Sequence, residues 1–491
     1  MRVILAGYNI DIQALKDKEK TLTPESISAA YARISRSPKS VNELRREAAK
    51  EVVKARKANR RIIFEMGHHS VAEHAVFNFD IIGISRRAIE ELERFRLCSY
   101  TEKSQRYVTL KGDFVIPEGL ANRTLLNEYL TTIKMQNNFY KHLFEKIRKF
   151  NLRKFPNLKK NKKNCRPLEN LAKEDARYIL SLATQTQVGA TINARNLELM
   201  MRRFASNNLH EINELGKIFF KLVKRIAPSI ILFCQANDYD QKTYRELHDY
   251  IIQDIRISGD QGISKDDVKL IDHTEDADNK ILAALLFKAS HMDYAQCFKT
   301  VKRMSGKEKL ACFKKSCQYM ELYDFALREF EYANLTYSLV VSAGCFGQLK
   351  RHRMATITCQ GYDPSLGFTM PEIIKEVGEE KKFIEIIKKT EKVYERIEKK
   401  YSGLGSYILT NAHQKRVLLN TNLRELYHIS RLREDETAQW DIRDKVNKMS
   451  SLAKKIMPIT TSLLGGKDQY PKIYFKLFGK NPRVTEVPPI K

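Results

Sequence analysis

The sequence predicts an α+β protein built from two tandem copies of one domain, and three observations predict it. At 491 residues the chain is too long for one ordinary domain, since domains run to roughly 150 residues. Long stretches of helical character are interrupted by short β-rich runs. Two different motifs recur, in the same order, once in each half.

The helical stretches are Ser85–Phe95, Glu169–Leu182, Asn208–Ile226 and Lys375–Tyr401, the last with dense Lys/Glu alternation. The β-rich runs are Arg2–Ala6, Val76–Ile84, Tyr107–Leu110 and Leu335–Val341. Residues 148–166, rich in Lys and Asn and carrying Pro156, read as an exposed insertion; residues 236–265, with scattered Asp, Gly and Ser, read as a link between halves. The repeat pairs SRRAIEELERFRLCS at 85–99 with SAGCFGQLKRHRMAT at 342–356, and TINARNLELMMRRF at 191–204 with NTNLRELYHISRLR at 420–433. Each half thus presents an Arg-x-Arg element followed by an Asn-x-Arg helix. Arg94 to Asn193 is 99 residues and Arg351 to Asn422 is 71; the difference of 28 is about the length of the Lys-rich insertion with its flanks. The expected layout is a first domain over 1–235, a linker over 236–270 and a second domain over 271–491.

Composition excludes several classes. With 43% hydrophobic residues, 23 Phe and 22 Tyr, the chain can fill substantial cores and is not globally disordered. No run of about 18 uncharged apolar residues is present, so no membrane span is expected. The opening MRVILAGYNI reads as a buried strand rather than a signal peptide. The net charge of +28 points either to anionic partners (nucleic acid, nucleotides, phosphorylated or polyglutamated cofactors) or to a solvated Lys-rich surface. Eight cysteines without a CxxC pair are expected as reduced thiols in a cytoplasmic protein.

Gly67-His68-His69-Ser70-Val71-Ala72-Glu73-His74 places three imidazoles and a carboxylate close together. The spacing lacks an HExxH pattern or a distant third ligand, so no metal is expected. A polar cofactor held by hydrogen bonds and a satisfied structural cluster both remain open. Further on, Glu102, Ser104 and Arg106 in an extended segment would share one face at period two and offer a nucleotide contact, Arg being a planar bidentate donor to phosphate. A solvated charged strand is the alternative.

GHHSVAEH together with Arg94-Phe95-Arg96-Leu97-Cys98-Ser99-Tyr100-Thr101-Glu102-Lys103-Ser104-Gln105-Arg106-Tyr107 resembles the flavin-dependent thymidylate synthases, whose signature reads RHRxxSxNExSxRY after GHxSxxEH and before an NAR helix. Phe95 replaces the His and Thr101 the Asn; the other signature positions match. The resemblance covers roughly 2–225 and 320–460. It implies a fold of antiparallel sheet packed with long helices, in two tandem copies, and sites shared between subunits of a tetramer. Two of these chains would match that tetramer, so a homodimer is expected.

Carried over position by position, the motifs have decayed in complementary ways. The second half keeps Gln348, Arg351, His352 and Arg353, then Asn422, Arg424, His428 and Arg433, but has Cys359, Gly361 and Asp363 where the loop's Glu, Ser and Arg belong. The first half keeps Ser70, Glu102, Ser104, Arg106, Arg177, Asn193 and Arg195. It has Glu91, Phe95, Leu199 and Phe204 in place of the Gln, the His, the helix His/Asn and the terminal Arg, with Arg202 and Arg203 out of register by roughly 100–200° around a helix. One composite site, drawing on both halves, is expected to be alive, and its opposite dead.

The resemblance implies conversion of dUMP to dTMP with methylenetetrahydrofolate as carbon donor, FAD as cofactor and NADPH as reductant. It implies FAD contacts from Ser70, Glu73, Glu102, Asn193, Arg195, Arg351, His352, Arg353 and His428. It implies nucleotide contacts from Gln348, Arg351, Glu102, Ser104, Arg106, Arg177 and Arg433. Ser104 would bind and polarise dUMP, Arg433 would stabilise charge at the uracil edge, and no enzyme nucleophile is required. The competing readings are a flavoenzyme acting on another pyrimidine nucleotide and a non-catalytic nucleotide- or nucleic-acid-binding descendant. No stacking platform with a flanking basic stripe is evident, so nucleic acid is not expected.

Overall fold

The computed structural model describes residues 1–156, 162–255 and 266–486. The chain divides into two compact units. One comprises Met1–Gln261 with Met370–Asn411, the other Gly262–Thr369 with Ala412–Lys491.

In the first unit, β1 (Arg2–Tyr8), β2 (Val76–Ser85), β3 (Ser99–Glu102) and β4 (Gln185–Asn193) form an antiparallel sheet in the order β1-β2-β4-β3. The alternation in β2 explains its packing: Phe77, Phe79 and Ile81 are buried while Asn78 and Asp80 face out. Gly83, with φ of +75°, takes the left-handed backbone of a bulge where the β2–β4 register shifts. The amphipathic helix His210–Val223 buries Leu215 and Phe219 under the sheet, the Phe219 ring 4.6 Å from that of Phe79.

The second unit repeats the plan with β5 (Val268–His273), β6 (Asn334–Ser342), β7 (Thr356–Tyr362) and β8 (Gln414–Asn422), ordered β5-β6-β8-β7. The likeness extends to single bonds. Asn78 Nδ2 donates to Thr191 Oγ1 at 2.8 Å between β2 and β4; Asn420 Nδ2 donates to Thr336 Oγ1 at 2.8 Å between β8 and β6. The cross-strand bond is the same, with donor and acceptor exchanged between strands. Ser85 and Ser342 each cap the helix after the second strand by accepting from a backbone N–H, and each hydroxyl donates to a carboxylate, the half-buried Glu211 or the buried Asp441.

Part of the second copy's sequence belongs to the first unit. The helix Glu380–Lys400 supplies Val393 and Ile397 to the first unit's core, and Tyr407 and Ile408 follow. Gln136, buried on the 32-residue helix Arg123–Lys154, donates to Thr390 Oγ1 at 2.8 Å and to Ile408 O at 3.1 Å. Ser181 and Thr410, equivalent residues of the two copies, form an antiparallel bridge.

Several expectations need correction. Tyr107–Leu110 is not a strand; it begins within the turn of residues 105–107. Residues 148–154 are not loose insertion but the last turns of the helix Arg123–Lys154, and a second helix, Lys162–Ala176, begins soon after; 157–161 lie outside the described residues. The Lys375–Tyr401 stretch is two helices, Glu372–Glu376 and Glu380–Lys400, interrupted at Gly378 with φ of +72°. Within 236–265, Asp238–Tyr250 is helical, and 256–265 lie outside the described residues.

Asn193 and Asn422 are both helix N-caps, accepting from Asn196 N at 3.0 Å and Glu425 N at 2.9 Å. Asn193→Ala and Asn422→Ala are therefore each expected to cost about 1 kcal/mol in chemical denaturation. Equal stability to the parent would show that these caps contribute nothing.

Candidate functional site

In the first unit, β3 ends at Glu102 and the chain then turns. Ser104 Oγ accepts from Arg106 N at 3.1 Å and Ser104 O accepts from Val108 N at 3.2 Å. The period-two face expected for Glu102, Ser104 and Arg106 does not form, because the serine's local bonds close a turn instead of extending the strand. A charged cluster takes its place. Glu102 pairs with Arg86, both side chains under a tenth exposed, and Arg106 pairs with Glu174. Arg177 is buried; its Nε donates to Glu174 O at 3.3 Å, and a buried Nη2 has no hydrogen-bond partner among the described residues. The guanidinium groups of Arg86, Arg106 and Arg177 thus gather with the carboxylates of Glu102 and Glu174, and Glu93 and Glu90 also act on Arg86. Burial lowers the Arg177 pKa, and repulsion from Arg106 and Arg86 adds to it. Burial acts the same way on Arg86, but Glu102, Glu93 and Glu90 more than offset it and raise its pKa.

Asn411 supports this loop. Its Nδ2 donates to Gln105 Oε1 at 3.1 Å and to Arg177 O at 2.8 Å. Elsewhere in the unit, Ser70 is exposed on the short turn His69–His74, and Glu73 pairs with Arg195 at 2.5 Å. His74 packs edge-on against Tyr31 and His69 lies near Phe64, 6.1 Å between ring centres. Glu102, Ser104, Arg106 and Arg177 therefore group together, and Ser70, Glu73, Asn193 and Arg195 form a neighbourhood of their own.

In the second unit, Gln348 lies in the last turn of the helix Ala343–Leu349 and the Arg351–Arg353 run turns toward β7. His352 is 2% exposed. Arg433, the last residue of the helix Leu423–Arg433, donates from Nε to His352 Nε2 at 2.9 Å and from Nη2 to Gln348 O at 3.3 Å. His428 lies 5.8 Å from His352, ring centre to ring centre. Burial, then Arg433 and His428, hold the His352 pKa well below the usual imidazole value. Arg351 is half-buried and Arg353 exposed. Glu331 pairs with Arg424 at 3.1 Å, repeating the Glu73–Arg195 pair at the equivalent positions.

The replaced positions have been repacked. Where the second unit pairs His352 with Arg433, the first packs Phe95 against Phe204, rings edge to face at 5.8 Å and both buried. Glu91, in place of Gln348, binds Arg87 at 2.9 Å and Arg94 at 2.8 Å. Burial pushes its carboxyl up, but Arg87 and Arg94 overcome that and bring its pKa down to about 2. Asp363, in place of Arg106, binds Arg416 at 3.6 Å and accepts from Ser365. Arg202 and Arg203 turn to Asp240 instead of the site.

Arg86, Gln105, Glu174, Asn411 and Glu425 were not anticipated. Glu174 has a local signal, a carboxylate three residues before Arg177, where the helix Lys162–Ala176 gives way to a short 3-10 turn. Asn411 has none, since its partners lie over 200 residues away. Among the described residues no His/Cys/Asp/Glu group could hold a metal ion, no helix is long and apolar enough to cross a membrane, and none of the seven described cysteines is in a disulfide.

Comparison with known proteins bears on both units. Residues 18–229 and 269–459 each match the family described as Thymidylate synthase complementing protein. The UPF0159 protein Ta1429 of Thermoplasma acidophilum is 24% identical over 446 residues, covering 82% of this chain and 87% of that one. A flavin-dependent thymidylate synthase of Geobacter sulfurreducens is 32% identical over 218 residues, 43% of this chain and 82% of its own. The solved flavin dependent thymidylate synthase of Helicobacter pylori, complexed with FAD and dUMP, is 22% identical, covers 48% of this chain and 100% of its own, and has a TM-score of 0.31.

The neutral His352 makes stability depend on pH. Its pKa in the folded chain lies far below the ordinary 6.5, so the unfolded chain takes up this proton first on acidification. The stability tied to this group is present above about pH 6.5 and is lost as pH falls below it. Urea midpoints are expected to fall between about pH 7 and 5, and His352→Gln is expected to lessen the slope. An unchanged slope would mean that the ring titrates normally.

Proposed function

The chain belongs to the Thymidylate synthase complementing protein family, the flavin-dependent thymidylate synthases, and carries its domain twice; on that premise we propose that it methylates dUMP to dTMP, taking the carbon from methylenetetrahydrofolate, with FAD as cofactor and NADPH as reductant. The observation that carries this reading is the division of retained chemistry: Glu102, Ser104, Arg106 and Arg177 in one copy, Gln348, Arg351, His352, Arg353, His428 and Arg433 in the other. Each copy carries a carboxylate, Glu91 or Asp363, where the other keeps an uncharged or cationic anion-binding residue. An active set made from the retained halves leaves both carboxylates in the discarded set.

The donor chemistry fits both ligands. A nucleotide phosphate needs fixed donors, and the first unit offers the guanidiniums of Arg106 and Arg177, with a buried Arg177 Nη2 that has no hydrogen-bond partner among the described residues. Arg106 and Arg177 would take the phosphate of dUMP, and Ser104, whose oxygen accepts from Arg106 N, keeps its O–H to donate. FAD presents a pyrophosphate, and Arg351 and Arg353 supply donors for it, with Ser70, Asn193, Arg195 and His428 as further contacts. Bound FAD supplies the hydride chemistry that no side chain provides. Arg433 is held at Nε by His352 and at Nη2 by the Gln348 carbonyl, so its plane is set before substrate arrives. A pre-oriented cation at the pyrimidine edge stabilises developing negative charge without reorganising.

The test is formation of dTMP by purified full-length protein with FAD, NADPH and methylenetetrahydrofolate. UMP in parallel decides whether another pyrimidine nucleotide is preferred. Protein that binds no flavin and makes no methylated product would sink the reading. Arg351→Ala with His352→Ala is expected to weaken FAD roughly ten- to hundredfold, the worth of a charge-assisted contact, whereas Arg94→Ala should leave FAD in place. Ser104→Ala and Arg433→Ala should each slow turnover with FAD still bound, the second more severely. If two chains share their sites, mixing these two variants restores one intact set per mixed dimer. If each chain is self-sufficient, the mixture stays inactive.

A further inference from the structure

Arg433 and His352 define a proton position. A guanidinium N–H only donates, so the His352 Nε2 at 2.9 Å from Arg433 Nε must be the acceptor, and the single proton of the neutral ring sits on Nδ1. Nδ1 is buried and makes no hydrogen bond in the described structure. A carboxylate oxygen of Glu425 stands 3.7 Å from it, and Glu425 is 8% exposed. That separation is too long for a direct hydrogen bond. It is short enough for a buried carboxylate to favour the tautomer whose N–H points toward it.

The first copy supplies an independent comparison. At the positions of His352, Glu425, His428 and Arg433 it has Phe95, Asn196, Leu199 and Phe204. All four are replaced together, while the neighbouring cap asparagine and arginine, Asn193 and Arg195, are kept. Asn196 N still donates to the Asn193 cap at 3.0 Å, as Glu425 N does to Asn422 at 2.9 Å. The cap therefore does not require a glutamate at this position. The glutamate goes with the arginine it lies behind, not with the helix it sits on.

We propose that Glu425 is a positioning residue for Arg433: it keeps the His352 proton on Nδ1, which leaves Nε2 to accept from Arg433 Nε and so sets the plane of the guanidinium. This rests on Arg433 acting on the pyrimidine, as proposed above. Glu425 touches neither ligand in this scheme; it acts through the imidazole.

The experiment reads the tautomer directly. Full-length protein labelled with nitrogen-15 in its 11 histidines is compared by NMR with His352→Gln, whose missing signals assign the ring. The wild-type ring is expected to be neutral with its proton on Nδ1. Glu425→Ala is expected to move it toward the Nε2–H form and to lower dTMP formation at saturating dUMP about tenfold, the worth of roughly one hydrogen bond, with FAD per chain unchanged. Glu425→Gln, which retains an acceptor oxygen, is expected to restore both the tautomer and most of the rate. Should the alanine form not fold, Glu425→Asn takes its place, since the first copy folds with asparagine there. A wild-type ring protonated on Nε2, or a Glu425→Ala protein with unchanged tautomer and rate, overturns the proposal. If the wild type makes no dTMP, the functional reading fails, and the tautomer comparison still decides the role of Glu425.

Discussion

A guanidinium removed from water needs a partner in a defined direction, and both units are arranged around that requirement. Arg86 has Glu102, Arg106 has Glu174, and Arg433 has the His352 nitrogen and the Gln348 carbonyl. The partners come from different elements: a strand end with a capped helix, a turn with a long helix, a tight turn with a helix C-terminus. Each pairing ties two elements at one point and fixes where the positive charge points. Arg177 also carries a buried Nη2 with no hydrogen-bond partner among the described residues, a donor left over beside Glu174 and Arg106.

The same physics explains how each copy lost half of its chemistry without losing its fold. In the first copy, Phe95 and Phe204 fill the space that His352 and Arg433 fill in the second. Replacing a buried imidazole and a half-buried guanidinium by two rings in edge contact removes a desolvation cost and adds packing, so the change is tolerated or stabilising. Glu91 neutralises Arg94 in the first copy, and Asp363 neutralises Arg416 in the second. Under the proposed function both carboxylates belong to the discarded set, where they would oppose an anionic ligand. What persists in both copies is what the fold needs: the serine and asparagine caps, the Asn/Thr cross-strand bond, and the Glu–Arg pair linking the short turn to the Asn-x-Arg helix. Glu73 and Arg195 are thus understood first as a structural link, whatever they also contact.

Duplication left the two copies interdependent within the first unit. The helix Glu380–Lys400 completes that unit's hydrophobic core, Gln136 spends its amide on Thr390 and Ile408, and Asn411 braces the Glu-x-Ser-x-Arg loop through Gln105 and Arg177. A residue of the second copy therefore shapes the loop of the first, and cutting the chain between its two family matches would leave that loop without its brace.

The repeat, the α+β class, the family and the complementary loss of motifs were legible in the amino-acid sequence because each rests on residue identity at fixed spacing. Val76–Ile84 and Leu335–Val341 were legible as strands for the same reason: alternation within one segment reports one buried face. The turn at Ser104 was not, because a hydroxyl accepting from the second next N–H competes with strand extension, and the outcome depends on what lies beneath. Nor were the partners of Arg86, Arg106 and Arg433, the brace from Asn411, or the position of Glu425 behind His352. Sequence specified which charged and polar groups the protein would carry. Only the tertiary structure decided which of them face one another, because a buried charge is paired by proximity in space, and proximity is set by how the sheets and long helices pack.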